Sequence, residues 1–224
     1  MKHPLWKRWL SYFKEVTLEE TGSEYNEVLE VLLVQGRHQL ATEDAIYSYD
    51  DKYVNFDHVF GLMDWDRLSG DQVLNLGLGL GSTILLMEQK YGRRLQHRAV
   101  EIDPEICRLC AKYTLTHLDS PVEILNTEAL SFLEMDANSY DLILMDIFES
   151  GIIPSQFQTE DFVRMLKNKL QIGGFLIYNR LNITERDKEE NVQFIDLFKK
   201  HFASARAIPV RENIVIVSDG RLLN

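Results

Sequence analysis

From about Gln72 onward the 224-residue chain alternates short apolar runs with stretches whose apolar residues recur every three or four positions. Short continuous runs mark strands covered on both faces, and the three-to-four spacing marks helices with one buried stripe. The pairs are Val73–Leu76 then Ser82–Tyr91, Arg98–Ile102 then Pro104–Thr114, Val122–Leu125 then Ala129–Glu134, and Leu142–Met145 then Thr159–Leu170. A strand in "GGFLIYN", a helix near Glu189–His201, and the close runs "ARAIPV" and "NIVIVS" complete the series. This alternation predicts an α/β domain: a mainly parallel sheet with helices on both faces, ending in an antiparallel hairpin. The charged stretch "RLNITERDKEEN" is expected to be loop ahead of the last helix.

The pattern before residue 60 is different. "EVTLEETGS", "NEVLEVLLVQG" and "RHQLATEDAIYSY" read as short strands with turn signals at Gly22-Ser23 and Gln35-Gly36. They predict a small antiparallel sheet. Ahead of them, Leu5, Trp6, Trp9, Leu10 and Phe13 share one helical face, with Lys7, Arg8 and Lys14 around it. Such a face suits a membrane surface less well than packing on the body or on a second subunit, so a homodimer is expected. The expected divisions are an amphipathic helix at 1–14, a small β subdomain at 15–60 and the α/β domain at 61–224.

Composition narrows the setting. With 45% hydrophobic and 26% charged residues the chain is an ordinary globular sequence. No apolar run approaches the roughly 20 residues that a bilayer span needs. The basic start lacks a signal-like apolar stretch, and Cys107 and Cys110 are the only cysteines, which suits a reducing, cytoplasmic compartment. A net charge of −11 disfavours nucleic acid as a partner.

In parallel α/β sheets ligands bind beyond the carboxyl ends of the strands, so the residues following each strand are the candidates. The first strand runs into Gly77-Leu78-Gly79-Leu80-Gly81-Ser82, where glycines admit a ligand close to the backbone and the next helix offers free amides. The dinucleotide spacing G-x-G-x-x-G would need glycine at Ser82, which argues against a nicotinamide enzyme. The second strand ends in "AVEIDPE": Glu101, or second Asp103, could accept a ribose diol, and Asp103 also suits the cap of the helix starting at Pro104. After the third strand Glu128 could hold an adenine amino group, with Thr127 or Asn126 capping the helix. The fourth strand delivers Asp146, with Glu149 three residues on. Cys107 and Cys110 share a helical face and read as core, and the six histidines show no metal-ligand spacing, so no metal is expected. Ser48, Ser82 and Ser150 lack a nucleophile-elbow context.

The G-x-G-x-G spacing resembles motif I of class I S-adenosylmethionine-dependent transferases. The stretch "YDLILMDIFESGIIPSQFQTEDFVRMLKNKLQIGGFLIYN" resembles spermidine synthases more specifically, with their D-x-x-D cluster, proline-containing loop, T-x-x-F and L-x-x-G-G. "VEID" and "EALSFL" fall where that family has its ribose-binding and adenine-binding acids, and "VLLVQGRHQLATEDAIYSYDD" resembles its N-terminal hairpin. The resemblance implies a Rossmann-like class I methyltransferase fold with an N-terminal β-hairpin extension. It implies cofactor contacts from Gln39, Gly77, Leu78, Gly79, Glu101, Ile102, Glu128 and Ala129, with S-adenosylmethionine or its decarboxylated form as the cofactor. Asp146 and Glu149 would be the catalytic acids, and Tyr49 and Asp50 would line the substrate channel.

The departures are equally informative. The family's glycine motif carries an aspartate that holds the aminopropyl amine, where this chain has Leu80. Asn75 stands where related motifs often have an acid, Glu149 replaces the second aspartate, and "RAIPVRENIVIV" has no Y-P-x-G segment. The expected activity is alkyl transfer, aminopropyl ahead of methyl, from an adenosyl sulfonium to a small cationic nucleophile such as a polyamine. The alternatives are methyl transfer to a small molecule and a nucleoside-binding module without catalysis.

Overall fold

The computed structural model describes residues 3–42, 45–149 and 151–224; Met1, Lys2, Glu43, Asp44 and Ser150 lie outside them. Among the described residues eleven strands form two sheets. The small sheet is an antiparallel meander of β1 (Val16–Thr21), β2 (Leu29–Val34), β3 (Arg37–Ala41) and β4 (Ile46–Tyr49).

The large sheet comprises β5 (Gln72–Leu76), β6 (Gln96–Glu101), β7 (Val122–Asn126), β8 (Tyr140–Met145), β9 (Leu170–Leu181), β10 (Arg206–Val210) and β11 (Asn213–Val217). Its strand order is β10-β11-β9-β8-β5-β6-β7. The pairs from β9 through β7 are parallel, and β11 and β10 run antiparallel at one edge. This is the expected class I methyltransferase-like architecture. The central β8 reads YDLILM and is buried at every position, which is why its sequence runs apolar rather than alternating.

The helices are α1 (Leu5–Leu10), α2 (Val54–Leu62), α3 (Ser82–Leu85), α4 (Pro104–Tyr113), α5 (Ala129–Met135), α6 (Glu160–Lys169) and α7 (Glu185–His201). One core lies under α5, α6 and α7, around Met145, Phe162, Leu166, Tyr178 and Phe198. The opposite core joins Phe56, Val59 and Phe60 of α2 to Leu144, Ile177 and Val215 of the sheet. The expected division between residues 60 and 61 falls inside α2, which packs with the large sheet rather than with the small one. A third cluster, including Leu29, Val31, Leu40, Leu80 and Leu109, binds the small sheet to α4. Among the described residues no helix is long and apolar enough to cross a membrane.

Three local expectations are corrected. Helix α7 begins at Glu185 rather than near Glu189, because Thr184 and Asp187 form a reciprocal capping box that pulls the charged stretch into the helix. The expected Ser82–Tyr91 helix is α3 followed by a π-helical turn over Leu86–Lys90. The aromatic face of the N-terminal helix does not pack on the body: Trp6, Trp9 and Phe13 are 63%, 72% and 72% exposed. The helix is held instead by its flanks: His3 hydrogen bonds His38 (2.8 Å), and Ser11 accepts the Gly36 amide at its Oγ (2.9 Å) and the Gln35 amide at its carbonyl (2.7 Å).

Candidate active site

Strand β5 lies between β6 and β8 and delivers the glycine loop to the carboxyl edge of the sheet. Gly77 sits at φ +87°, and a Cβ there would lie 2.5 Å from the Asp146 carbonyl oxygen, so this junction admits backbone alone. Gly79 (φ +52°) passes less closely by β4, where a Cβ would meet Ser48 Cβ at 3.2 Å. Ser82, which stands where a dinucleotide loop would have glycine, hydrogen bonds Ser48 Oγ (2.7 Å) and accepts the Tyr49 amide (3.2 Å). The side chain that broke one motif thus ties the small sheet to the loop. Leu80 is buried in the cluster joining the small sheet to α4, away from the cavity. Asn75 is likewise internal, its amide shared with His97 (3.2 Å) and Thr83 (3.3 Å).

Glu101 ends β6 and accepts the backbone amides of Leu78 and Asp103, both at 3.1 Å. Burial raises its pKa while these amides oppose the shift. Each oxygen retains acceptor capacity, which a vicinal diol can use. Asp103 caps α4 through the Glu105 amide (2.8 Å) and also accepts from Ser23 Oγ (2.5 Å) and Asn26 Nδ2 (2.8 Å), anchoring the β1–β2 loop. After β7 the cap of α5 is Glu128 itself, accepting from Leu130 (3.0 Å) and Ser131 (2.7 Å). Neither Thr127 nor Asn126 has that role; Asn126 Nδ2 turns back to the carbonyls of Glu101 and Ile102, each at 2.9 Å.

Asp146 follows β8. Its Oδ2 accepts the Tyr53 hydroxyl at 2.7 Å, and its Oδ1 accepts Asn179 Nδ2 at 3.0 Å. Asn179 Oδ1 in turn accepts Asn213 Nδ2 at 3.0 Å. Burial pushes the Asp146 carboxyl up to about 7, more than its two donors bring it down. A carboxyl so poised can take up or release a proton at neutral pH, and its orientation is fixed from both sides. Glu149 lies three residues on, in a short loop bridged to Ile152.

These groups border one cavity of about 860 Å³, within the roughly 300–1,000 Å³ usual for small-molecule sites. Of the residues expected at the site, Gly77, Leu78, Gly79, Glu101, Ile102, Glu128, Ala129, Asp146 and Glu149 line it. Gln39, Tyr49 and Asp50 are not among its lining residues. The β3–β4 hairpin enters by its far end, through Ala41, Thr42, Ile46 and Tyr47, whereas Gln39 and Tyr49 pair lower in the ladder. Asp50 accepts the His38 amide at 2.6 Å, and burial raises its carboxyl to about 6. Tyr47 and Tyr53 line the cavity instead, with Asn179 and Glu212 beyond Asp146. Every charged side chain among the lining residues is a carboxylate: Glu101, Asp103, Glu128, Asp146, Glu149 and Glu212. Cys107 and Cys110 lie in α4, and burial raises both thiols, Cys107 to about 12.

The family model for the spermine/spermidine synthase domain matches residues 70–218. A probable polyamine aminopropyl transferase of Bifidobacterium longum is 26% identical over 140 residues, which cover 62% of this chain and 31% of that protein. The chain therefore spans about a third of the length of that curated relative. A probable spermidine synthase from Corynebacterium glutamicum has the same fold, with a TM-score of 0.71 at 18% identity over 89% of this chain and 78% of its own. Human methyltransferase-like protein 13, solved with SAH, aligns with a TM-score of 0.59 at 20% identity over 75% of this chain and 81% of its own.

Proposed function

The chain belongs to the spermine/spermidine synthase family, and on that premise we propose that it transfers an aminopropyl group from a decarboxylated adenosyl sulfonium to an amine of a small polycationic acceptor. The observation that carries this reading is the uniform sign of the cavity. Six acidic residues line it and no lysine, arginine or histidine is among the described lining residues, so a polyamine is attracted and a ligand carboxylate finds no cation.

The residues present fit an adenosyl group. Gly77 and Gly79 offer bare backbone, Glu101 offers a carboxylate with spare acceptor capacity, and Ala129 beside Glu128 leaves room for a flat ring. These residues, with Leu78 and Ile102, would hold the nucleoside. When bound, the sulfonium supplies a carbon activated for displacement, its bond to sulfur breaking as the acceptor nitrogen attacks. Attack needs a neutral amine, although free alkylamines have pKa values near ~10. Asp146, held by Tyr53 and Asn179, is placed to take the proton the nitrogen loses, and Glu149 adds negative charge beside it. The exposed aromatic face of α1 supports a homodimer, and two free cysteines suit a reducing, cytoplasmic setting.

A second reading, a nucleoside-binding module without turnover, draws on one observation: Leu80 is core, so no carboxylate of the glycine loop reaches the transferred arm. Incubation with the decarboxylated sulfonium and a panel of diamines, with products read by mass spectrometry, separates the two. Aminopropylated amine and methylthioadenosine are expected in equal amounts; nucleoside binding without either product supports the module.

A further inference from the structure

The carboxyl edge of the large sheet sets the site's groups in a row. Reading across β7, β6, β5, β8, β9 and β11, the edge presents Glu128, Glu101, Gly77, Asp146, Asn179 and then the β10–β11 turn. The candidate nucleoside residues therefore lie on one side of Asp146 and that turn on the other. Neighbouring strands are about 4.8 Å apart, so β8 and β11, two strands over, are separated by about 10 Å.

The turn is built to hold a position. Val210 pairs with Asn213, leaving Arg211 and Glu212 as its two loop residues. Arg211 adopts φ +52°, a conformation that favours glycine and that a side-chain-bearing residue keeps only where its surroundings impose it. The Glu212 carbonyl accepts the Asn182 amide at 2.7 Å. The adjoining Asn213 reaches Asp146 through Asn179, by two amide hydrogen bonds of 3.0 Å. The backbone that carries Glu212 is thus fixed relative to Asp146. Glu212 is an exposed member of the cavity lining, and its side chain has no hydrogen bond or ion pair among the described residues. Leu181, at the end of β9, and Ile183 just beyond it add apolar surface to the cavity lining.

We propose that Glu212 sets acceptor choice, taking the distal ammonium of a linear diamine or polyamine whose reacting nitrogen sits at Asp146 and whose methylenes lie along Leu181 and Ile183. The assignment of the reacting end rests on the aminopropyl-transfer reading. A carboxylate at that distance rewards a second positive charge and offers nothing to an uncharged tail. A monoamine of the same length would use Asp146 and leave Glu212 idle.

The test compares 1,4-diaminobutane with n-butylamine in the wild type and in Glu212→Gln. Binding is followed by calorimetry with methylthioadenosine present, and transfer by initial rates. The substitution removes a charge from an exposed turn and keeps its size. The diamine Kd and KM are expected to rise tenfold or more with kcat within about twofold, while n-butylamine is unaffected. Equal losses for both amines, or none for the diamine, overturn the proposal. So does a wild type that binds the diamine no more tightly than the monoamine. If the wild type transfers nothing to any amine, the transfer reading fails, and the binding comparison still decides the place of Glu212.

Discussion

Tyr53 and Asp146 are 93 residues apart in the chain, yet the phenol donates its hydrogen to the carboxylate at 2.7 Å. The contact joins the residue that leads into α2 to the end of the central strand. With Asn179 on the other oxygen, it restrains a carboxyl whose pKa burial has raised to about 7. Tyr53→Phe removes one of the two donors that favour the charged form, so the Asp146 pKa moves further up. The ascending limb of kcat/KM against pH should shift to higher pH, with activity at pH 7 reduced several-fold and partly recovered above it. A profile of unchanged shape, merely scaled down, would contradict a positioning role for Tyr53.

Asp146 also links stability to pH. Its ordinary pKa of 3.8 applies in the unfolded chain, and the folded value is about 7. Between these values the folded protein keeps a proton that the unfolded chain has released, so stability falls as pH rises from about 4 to about 7. Below that window the cost is absent, and above it the cost is constant. Asp146→Asn abolishes the contribution, so the variant should gain on the wild type across that window and then run level. His97 and His38, both lowered to about 4 by burial, slope the other way in both proteins and cancel in the difference. Urea denaturation at a series of pH values checks this.

Much of this arrangement could be read from the chain. Buried runs such as "LILM" announce central strands because both faces are covered, and the residue that ends such a run falls at the carboxyl edge. Asp146, Glu101 and Gly77 follow from that rule alone. Helix α2 carries the i, i+3, i+4, i+7 pattern in Phe56, Val59, Phe60 and Met63 but lacks boundary signals, because its cap residue, Tyr53, makes no side-chain cap and Gly61 interrupts its end. Nothing local therefore marks Tyr53 as a site residue. Resemblance puts Gln39 and Tyr49 at the site, but which end of a hairpin enters a cavity depends on tertiary docking that local pattern does not encode. Glu212 sits in a turn between two plain strands, and its significance comes from strand order.

The proposed nucleoside contact of Glu101 separates by measurement from the two backbone amides it holds. Glu101→Ala removes both the acceptor for a ribose diol and the partner of the Leu78 and Asp103 amides. Affinity for methylthioadenosine and adenosylhomocysteine should fall by roughly 1.5–3 kcal/mol, the range for hydrogen bonds to charged groups. Stability should fall as well, by about 1–3 kcal/mol, because two backbone donors lose their partner. Calorimetry and thermal unfolding read the two effects, and unchanged nucleoside affinity would remove Glu101 from the site.

The aromatic face of α1 should form a symmetric contact between two copies of the chain. Trp6, Trp9 and Phe13 are exposed together, more apolar surface than a short helix tethered at its flanks needs. Light scattering at micromolar concentration should give twice the monomer mass, and Trp6→Ser with Trp9→Ser should return it to one. A monomeric wild type would contradict this.

Whether Asp146 drives aminopropyl transfer in the acidic cavity can be read from one comparison. The most direct measurement is steady-state turnover of 1,4-diaminobutane with S-adenosylmethionine and with its decarboxylated form, in the wild type and in Asp146→Asn. The wild type should prefer the decarboxylated form by about tenfold (roughly 1.4 kcal/mol), a modest margin because Leu80 leaves the transferred arm without a dedicated carboxylate. Asp146→Asn keeps the shape but cannot take a proton, so kcat should fall by a factor on the order of 10²–10⁴ while nucleoside affinity holds. Full activity in Asp146→Asn, or a preference for the intact sulfonium, would contradict aminopropyl transfer driven by Asp146.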